Sequence, residues 1–434
     1  MLMRGALRGG EVPGPMRLRP RKRFYLIVIL MAVDVVTALA TGVGIFYNLL
    51  YVMAITTAVS FLWAWLSLKA LEVTVERRSR RVRVGDPLEE RLTARNLSKL
   101  PRPAVVVEDL SDVPGFTTGM AVNLGPGSSK TWTAKGHARK RGLYTLGPAR
   151  TSFSDPFGLF RNERVLEGTE PLVVYPRIHE VVQFSVPAAY LSGESSLKKR
   201  THDLTPHASS VRDYVHGDSL GRVHWNTTAR LGKLMSKEFD EGQSSDVWIV
   251  IDLHRDTQAG KLEESTDEYA VSIGASLSKR FLALGLPVGL IVYADQKYLL
   301  PADSGPGQLD RMMEYLARAK AESIVHLDEA LPQDEGLWTD HTTLVVITTS
   351  PRKAWALALR ELTKRRVKVA AVLLDGRSFG GFFDSMVVMP ELDLAGIPTY
   401  VVKMGDNISV SLSQLYNASK QNGAVRRELV EAIR

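Results

Sequence analysis

Asp252 and Asp256 stand four residues apart at the end of the apolar run Val247-Trp-Ile-Val-Ile, in the order Asp252-Leu-His-Arg-Asp256. Two carboxylates at that spacing offer the oxygen ligands that Mg²⁺ or Ca²⁺ prefers, although Arg255 sets a cation beside them. Four histidines, His202, His207, His216 and His224, form a second group with ligating chemistry. None of their spacings gives a helical i,i+4 pair or a His-Glu-x-x-His motif, so they read as solvated or network histidines, not as a zinc site. Gly125-Pro-Gly-Ser-Ser-Lys-Thr has the outline of a phosphate loop, but Ser129 occupies the place of the required glycine. A strand pattern follows it, and a hairpin turn is the better reading. There is no cysteine nucleophile, no Gly-x-Ser-x-Gly elbow and no metalloprotease helix. The chain is expected to have no catalytic residues and not to be an enzyme.

The densest constellation lies between Val211 and Asp240. Arg212, Arg222, Arg230, Lys233 and Lys237 interleave there with Asp213, Asp218, Glu238 and Asp240. Gly217-Asp218 predicts a turn with Asp218 as helix N-cap. A short helix would then run to about Ala229, with Arg222, Trp225, Asn226 and Ala229 on one face. Such a segment either ties neighbouring elements together through a polar network or presents a surface to a partner.

Two different grammars flank this segment. From Leu71 to about Ile178, short alternating runs such as Glu72-Val-Thr-Val and Leu88-Glu-Glu-Arg-Leu-Thr-Ala are broken by Gly85-Asp86-Pro87, Gly125-Pro-Gly and Gly147-Pro148. That spacing predicts a β-sandwich. After residue 246, apolar strands (Val247–Asp252, Val288–Tyr293, Leu344–Thr348, Val367–Leu374, Pro398–Val402) alternate with helical stretches (Glu268–Leu284, Gln308–Ala319, Lys353–Arg365). Continuous apolar strands between amphipathic helices predict a parallel, doubly wound α/β sheet. The Ser-rich stretch 180–205 reads as a linker, and the chain from Ser411 as a peripheral helix.

Phe24 to Leu68 holds two apolar stretches separated by Gly42-Val-Gly-Ile-Phe-Tyr-Asn48, a pattern expected of a two-span membrane hairpin. Basic residues lie on both sides: Arg4, Arg8, Arg17, Arg19, Arg21, Lys22 and Arg23 before it, and Lys69, Arg77, Arg78, Arg80, Arg81 and Arg83 after it. The positive-inside rule then places both termini in the cytoplasm. These flanks carry +6 and +4, Asp34 inside the first span removes one, and the formal net charge is +8, so the remainder sums to about −1. Basicity confined to the flanks predicts contact with anionic lipid and demotes nucleic-acid binding. Asp34 is the single intramembrane charge and is expected to face a protein partner or to be protonated, either as a proton or partner contact or, the favoured reading, as a tolerated polar group facing the second helix or an oligomer. The absence of cysteine suits a reducing compartment.

The ordered set Arg212, Tyr214, Gly217, Asp218, Arg222, Trp225, Ala229, Arg230, Lys237 and Glu238 resembles the signature of the family known as domain of unknown function 58. Asp213 and Val223 stand where that family usually has glutamate and isoleucine. Arg141-Gly-Leu-Tyr-Thr-Leu-Gly-Pro, Ser154-Asp-Pro-Phe-Gly-Leu-Phe and Val174-Tyr-Pro-Arg are similar to motifs of its sandwich domain. The resemblance implies a membrane-anchored protein with a von Willebrand factor A-like domain that works with a MoxR-type AAA+ ATPase. Domains of that fold often hold a cation through Asp-x-Ser-x-Ser, a Thr and a further Asp. Here both serines are replaced, and Ile347-Thr-Thr-Ser350 lacks the second Asp.

The expected architecture is therefore a basic cytoplasmic tail (1–23), a transmembrane α-hairpin (24–69), a β-sandwich (70–179), a linker (180–205), and the signature with a doubly wound von Willebrand factor A-like α/β domain (206–434). The expected function is a membrane-anchored, non-catalytic scaffold that docks the ATPase and helps an envelope client assemble or mature. The alternative is a divalent-cation-dependent ligand receptor using Asp252 and Asp256. No cofactor is expected otherwise.

Overall fold

The computed structural model describes residues 12–67, 69–184, 210–215, 223–238 and 246–416. The chain divides into two compact units, Met1–Arg177 and Ile178–Arg434.

The first unit begins with a strand where a tail was expected. β1 (Val12–Pro20) pairs antiparallel with β10 (Phe160–Glu167). Its side chains alternate, with Met16 and Leu18 packed against apolar clusters and Arg17 and Arg19 exposed. Four residues of alternation inside a strongly basic stretch gave too short a signal to separate from a solvated tail, and basic residues suit an edge strand. Helices α1 (Lys22–Thr41) and α2 (Gly44–Ser67) follow, joined through Gly42 in the left-handed conformation at φ 65°. Both are long and apolar enough to cross a membrane.

Strands β2 (Leu71–Arg77), β4 (Pro87–Asn96) and β7 (Ser129–His137) form one sheet. β5 (Arg102–Asp109), β6 (Met120–Leu124) and β9 (Ala149–Ser154) join β1 and β10 in another, in the order β1-β10-β9-β5-β6. The inner faces of the two sheets share one apolar cluster that includes Val73, Leu92, Val107, Val122 and Phe153. A third sheet, β3 (Arg81–Arg83), β11 (Glu170–Tyr175) and β8 (Gly142–Leu146), closes around Val82, Leu146 and Leu172. β6 and β7 lie in different sheets, so Gly125-Pro-Gly-Ser crosses between sheets and does not close a hairpin.

The basic flank after the hairpin is not a single surface patch. Arg77 is buried, with its guanidinium 2.7 Å from Asp109 and 3.6 Å from Glu90. Arg78 to Arg83 follow β2, about 20 Å along a strand from the end of α2. Lys69 is the cation of this flank that stays beside the helix end, above the Trp65 ring.

In the second unit, residues 178–184 pack where a linker was expected to begin. The His179 N–H donates to Ser276 Oγ, Arg280 donates to the Val181 carbonyl, and Phe184 stacks on Tyr400. A buried aromatic at 184 outweighs the loop-like composition around it. The rest of the predicted linker lies outside the described residues.

The main sheet contains β14 (Val247–Asp252), β17 (Val288–Tyr293), β18 (Lys297–Asp303), β19 (Thr343–Thr348), β20 (Lys368–Leu374) and β21 (Thr399–Val402). Its order is β18-β17-β14-β19-β20-β21, parallel throughout except for β18 at the edge. Helices cover both faces. A two-stranded ribbon, β15 (Gly260–Lys261) and β16 (Glu264–Ser265), leads into α4 (Thr266–Ala283), whose Gly274 lies against Ile251 and Ile347. Trp248 and Val250, on the other face, cluster with side chains of α6 (Leu327–Gln333), α7 (Lys353–Lys364) and α8 (Met389–Leu394). α5 (Gln308–Arg318) completes the larger helices. β18, α6 and α8 had no counterpart in the sequence reading, because seven residues or fewer hold too little periodicity to recognise. A short helix at Ile408–Ser411 ends where the predicted peripheral helix was to begin: residues 412–416 are turn and irregular chain, and the rest of that stretch lies outside the described residues.

Gly289 faces the Trp248 indole so closely that a Cβ there would sit 2.6 Å from ring atoms. Gly289→Ala should cost about 1–3 kcal/mol through overpacking in the sheet centre. Denaturant unfolding of the full chain in micelles checks this, and an unchanged midpoint would show that the ring can move aside.

Candidate functional site

The predicted docking segment forms a small unit of its own. β12 (Ser210–Asp213) pairs antiparallel with β13 (Met235–Glu238), and α3 (Trp225–Leu231) lies between them in sequence. The helix starts at Trp225, later than expected. His224 is its N-cap, and its Nδ1 accepts from the Thr227 N–H at 3.2 Å. Gly232, in the left-handed conformation, ends it and donates to the Thr228 carbonyl. Val223 and Met235 are buried beneath, and the Met235 N–H donates to Thr228 Oγ1 at 3.0 Å.

α3 itself has no buried residue. Trp225 is 63% exposed, and Leu231, Leu234 and Val215 are also exposed. Arg230, exposed, sits in the last helical turn, where a cation complements the helix dipole. Tyr214 is half-buried, and its N–H donates to the Leu234 carbonyl. Arg212 pairs with Ser236 and Lys237 with Val211 in the strand register, and Glu238 closes β13 opposite Ser210. Gly217, Asp218 and Arg222 lie outside the described residues, so the predicted Asp218 cap does too.

Asp252 and Asp256 have opposite environments. Asp252 ends β14 and is 1% exposed. Its Oδ1 accepts from the His254 N–H at 3.0 Å and its Oδ2 from Thr348 Oγ1 at 2.7 Å. Thr348 ends the neighbouring strand and accepts in turn from the Ser350 N–H. Burial pushes the Asp252 carboxyl above the ordinary carboxylate range, while the two hydrogen bonds oppose that shift. Asp256 is exposed in a 3₁₀ turn and pairs with Arg255 at 3.5 Å. Among the described residues, no group of three or more His, Asp or Glu side chains is placed to hold a metal ion.

The sequence reading missed two partners here. Ile347-Thr-Thr-Ser350 lacks the Asp of a metal loop, yet its Thr348 is the side chain that bonds Asp252. His326 belongs to no motif, yet its ring stacks on the buried His254 at 4.2 Å and 14°. Parallel strands bring residues about a hundred positions apart to one sheet edge, and no local spacing records that.

In the first unit, Asp34 is buried between the helices, and its Oδ2 has no hydrogen-bond partner among the described residues.

Residues 210–378 match the family model described as a protein of unknown function, DUF58. The uncharacterized protein YeaD of Bacillus subtilis (strain 168) is 27% identical over 196 residues, covering 44% of this chain and 45% of that protein. The match therefore spans less than half of that relative. Both findings support the family that the motif set resembles. Among solved structures, the CARDB domain of PF1109 from Pyrococcus furiosus matches 24% of this chain and 94% of its own at 19% identity, with TM-score 0.19. A β-glucosidase from Listeria innocua matches 24% and 16% at 16% identity, with TM-score 0.18. Likeness at those scores carries no argument about fold or function.

Asp252 gives a test with a defined sign. The native state holds its proton more tightly than the unfolded chain does. Its contribution to stability is therefore greatest below the unfolded carboxylate pKa, near about 4, and is lost as pH rises through the native pKa. Asp252→Asn keeps an acceptor for the His254 N–H and should remove that slope. Asp252→Ala leaves two buried donors unpaired and should cost about 1–3 kcal/mol at all pH values. Hydrogen exchange at β14 and β19 amides across pH reads both outcomes.

Proposed function

We propose that this chain is a membrane-anchored, non-catalytic scaffold whose β12–α3–β13 unit docks a MoxR-type AAA+ ATPase and so helps an envelope protein assemble or mature. The observation that carries this reading is α3, a helix that buries none of its own residues, holds Trp225 outward and has Arg230 exposed five residues further on, in its last turn. Tryptophan and arginine are the residue types that most often anchor protein interfaces. The order of the main sheet, with one antiparallel edge strand and helices on both faces, supports a von Willebrand factor A-like domain as its platform. The two sheets sharing one core support a β-sandwich between that platform and the anchor in sequence.

Membrane anchoring rests on α1 and α2, two apolar helices joined by a tight turn. β1 before the hairpin and β2 after it belong to the same unit, which suits a hairpin whose ends emerge on one side, the cytoplasmic side by charge. The exposed apolar faces of the hairpin are the natural contact for a membrane-borne client, and Asp34 is a polar group held inside it.

The cation-dependent receptor draws no support from Asp252, whose two oxygens already accept hydrogen bonds, or from Asp256, which pairs with Arg255.

The test is affinity purification of the full-length protein in mild detergent with nucleotide present, followed by mass spectrometry. Wild type should recover an AAA+ ATPase, and a Trp225→Ala, Arg230→Glu variant that still inserts and folds should recover at least tenfold less, the equivalent of about 1.4 kcal/mol. Equal recovery would move the docking surface elsewhere. Recovery by neither form, with calorimetric heat for Mg²⁺ or Ca²⁺ that Asp252→Asn abolishes, would favour the receptor.

A further inference from the structure

The end of the first unit that carries the hairpin has exposed apolar side chains of its own. The loop after β4 runs Leu97-Ser-Lys-Leu-Pro101, with Leu97 55% and Leu100 49% exposed. It abuts the hairpin: the Leu97 N–H donates to the Ala70 carbonyl, and Arg102 donates to that of Lys69. The loop is held in shape by Asn96, fully buried, whose amide donates to the Leu100 and Gly125 carbonyls. A loop fixed in this way cannot fold its leucines inward.

The β9–β10 loop makes the same arrangement beside α1. Asp155 accepts from the Phe157 and Phe160 N–H groups, and the Arg21 N–H donates to the Leu159 carbonyl. Phe160 packs against Phe24 and Phe61 of the hairpin, and Asn162 donates to the Ala64 carbonyl at 2.9 Å. Phe157, at the tip, is left 54% exposed. Cations surround these residues: Arg21, Lys22 and Arg23 at the start of α1, Lys69 beyond α2, and Lys99 between the two leucines.

We infer that these two loops are a second membrane-binding element, seated in the headgroup boundary of an anionic phospholipid bilayer. Leu97, Leu100 and Phe157 enter the acyl edge, and the adjoining lysines and arginines meet lipid phosphates. Continuity with the hairpin selects the bilayer as occupant, since both loops are bonded to residues within a few positions of the helix ends. The mixture of apolar tips and cations matches an interface that is apolar on one side and anionic on the other. Two loops and two helix ends grip the surface at separate points, so the unit is held at a set tilt and does not swing from its anchor. The inference rests on the hairpin spanning the membrane.

The chain has no cysteine, so single cysteines can be introduced and labelled with an environment-sensitive fluorophore. Phe157→Cys and Leu100→Cys test the loops, and Val36→Cys, exposed in the middle of α1, tests the hairpin. His137→Cys is the negative control, about 26 Å along β7 from the hairpin end of that strand. The full chain is reconstituted in vesicles of phosphatidylcholine and phosphatidylglycerol with brominated acyl chains. Labels at 157, 100 and 36 should lose most of their emission to bromine, and the label at 137 should keep it. Without phosphatidylglycerol, quenching at 157 and 100 should weaken while that at 36 stays. Quenching at 36 alone would overturn the inference and leave the hairpin standing. A blue-shifted but unquenched label at 157 would assign the loop to a protein partner or a second copy. No quenching at 36 would remove the membrane reading and the inference with it.

Discussion

Two-sided burial of β14 is the constraint on which the second unit depends. Each of its six residues is buried, and it bonds to a parallel neighbour on each edge. A strand in that position must be apolar on both faces, because neither face reaches water. Its odd and even residues then meet different helical layers, Ile251 against α4 and Trp248 against the α6–α8 layer. The same constraint sets the chemistry of its last residue. Asp252 arrives at the sheet edge already desolvated, and the adjacent strand end supplies Thr348 and the turning chain an N–H as partners for its buried oxygens. A carboxylate that must accept those bonds to remain buried has little capacity left for a cation.

The first unit depends on a comparable balance around charge. Arg77 lies between Asp109 and Glu90 in a buried position, where any member left alone would be strongly unfavourable. Glu90 occupies an inward position of β4 between Leu88 and Leu92, so the strand alternation includes an ion pair in its apolar face. At the opposite end of β2, Asp155 and Asn162 bind backbone groups that the chain leaves open as it passes between sheet and helix. Asn162 thereby ties β10 to α2, beside the apolar cluster of Leu159, Phe160 and Ala64.

The scaffold reading and the quiet rim are connected. In an open α/β sheet the carboxyl ends of the strands form the usual place for a ligand. Here that rim is occupied by hydrogen bonds and a stacked histidine pair. Exposed aromatic and aliphatic side chains lie on α3, which precedes the sheet in sequence, and also in loops beyond the strand ends, at Ile324 and Phe382.

By itself the sequence determined whatever depends on local period and on the cost of burial. The five parallel strands were legible, because apolar runs such as Val288–Tyr293 have no polar face to expose. The two membrane-length helices and the alternation of β2 and β4 were legible for the same reason. Tertiary structure alone decided what depends on meetings between distant residues. It turned Arg17 and Arg19 from tail to edge strand, because Met16 and Leu18 found a core made by other strands. It withdrew Arg77 from the membrane flank, because Asp109 and Glu90 lay within reach only after the sheets formed. It joined Asp252 to Thr348, 96 residues away, and separated it from Asp256, four residues away. Spacing along a chain measures possible contact only while the chain is a helix or a strand, and beyond that length the packing of sheets decides which groups meet.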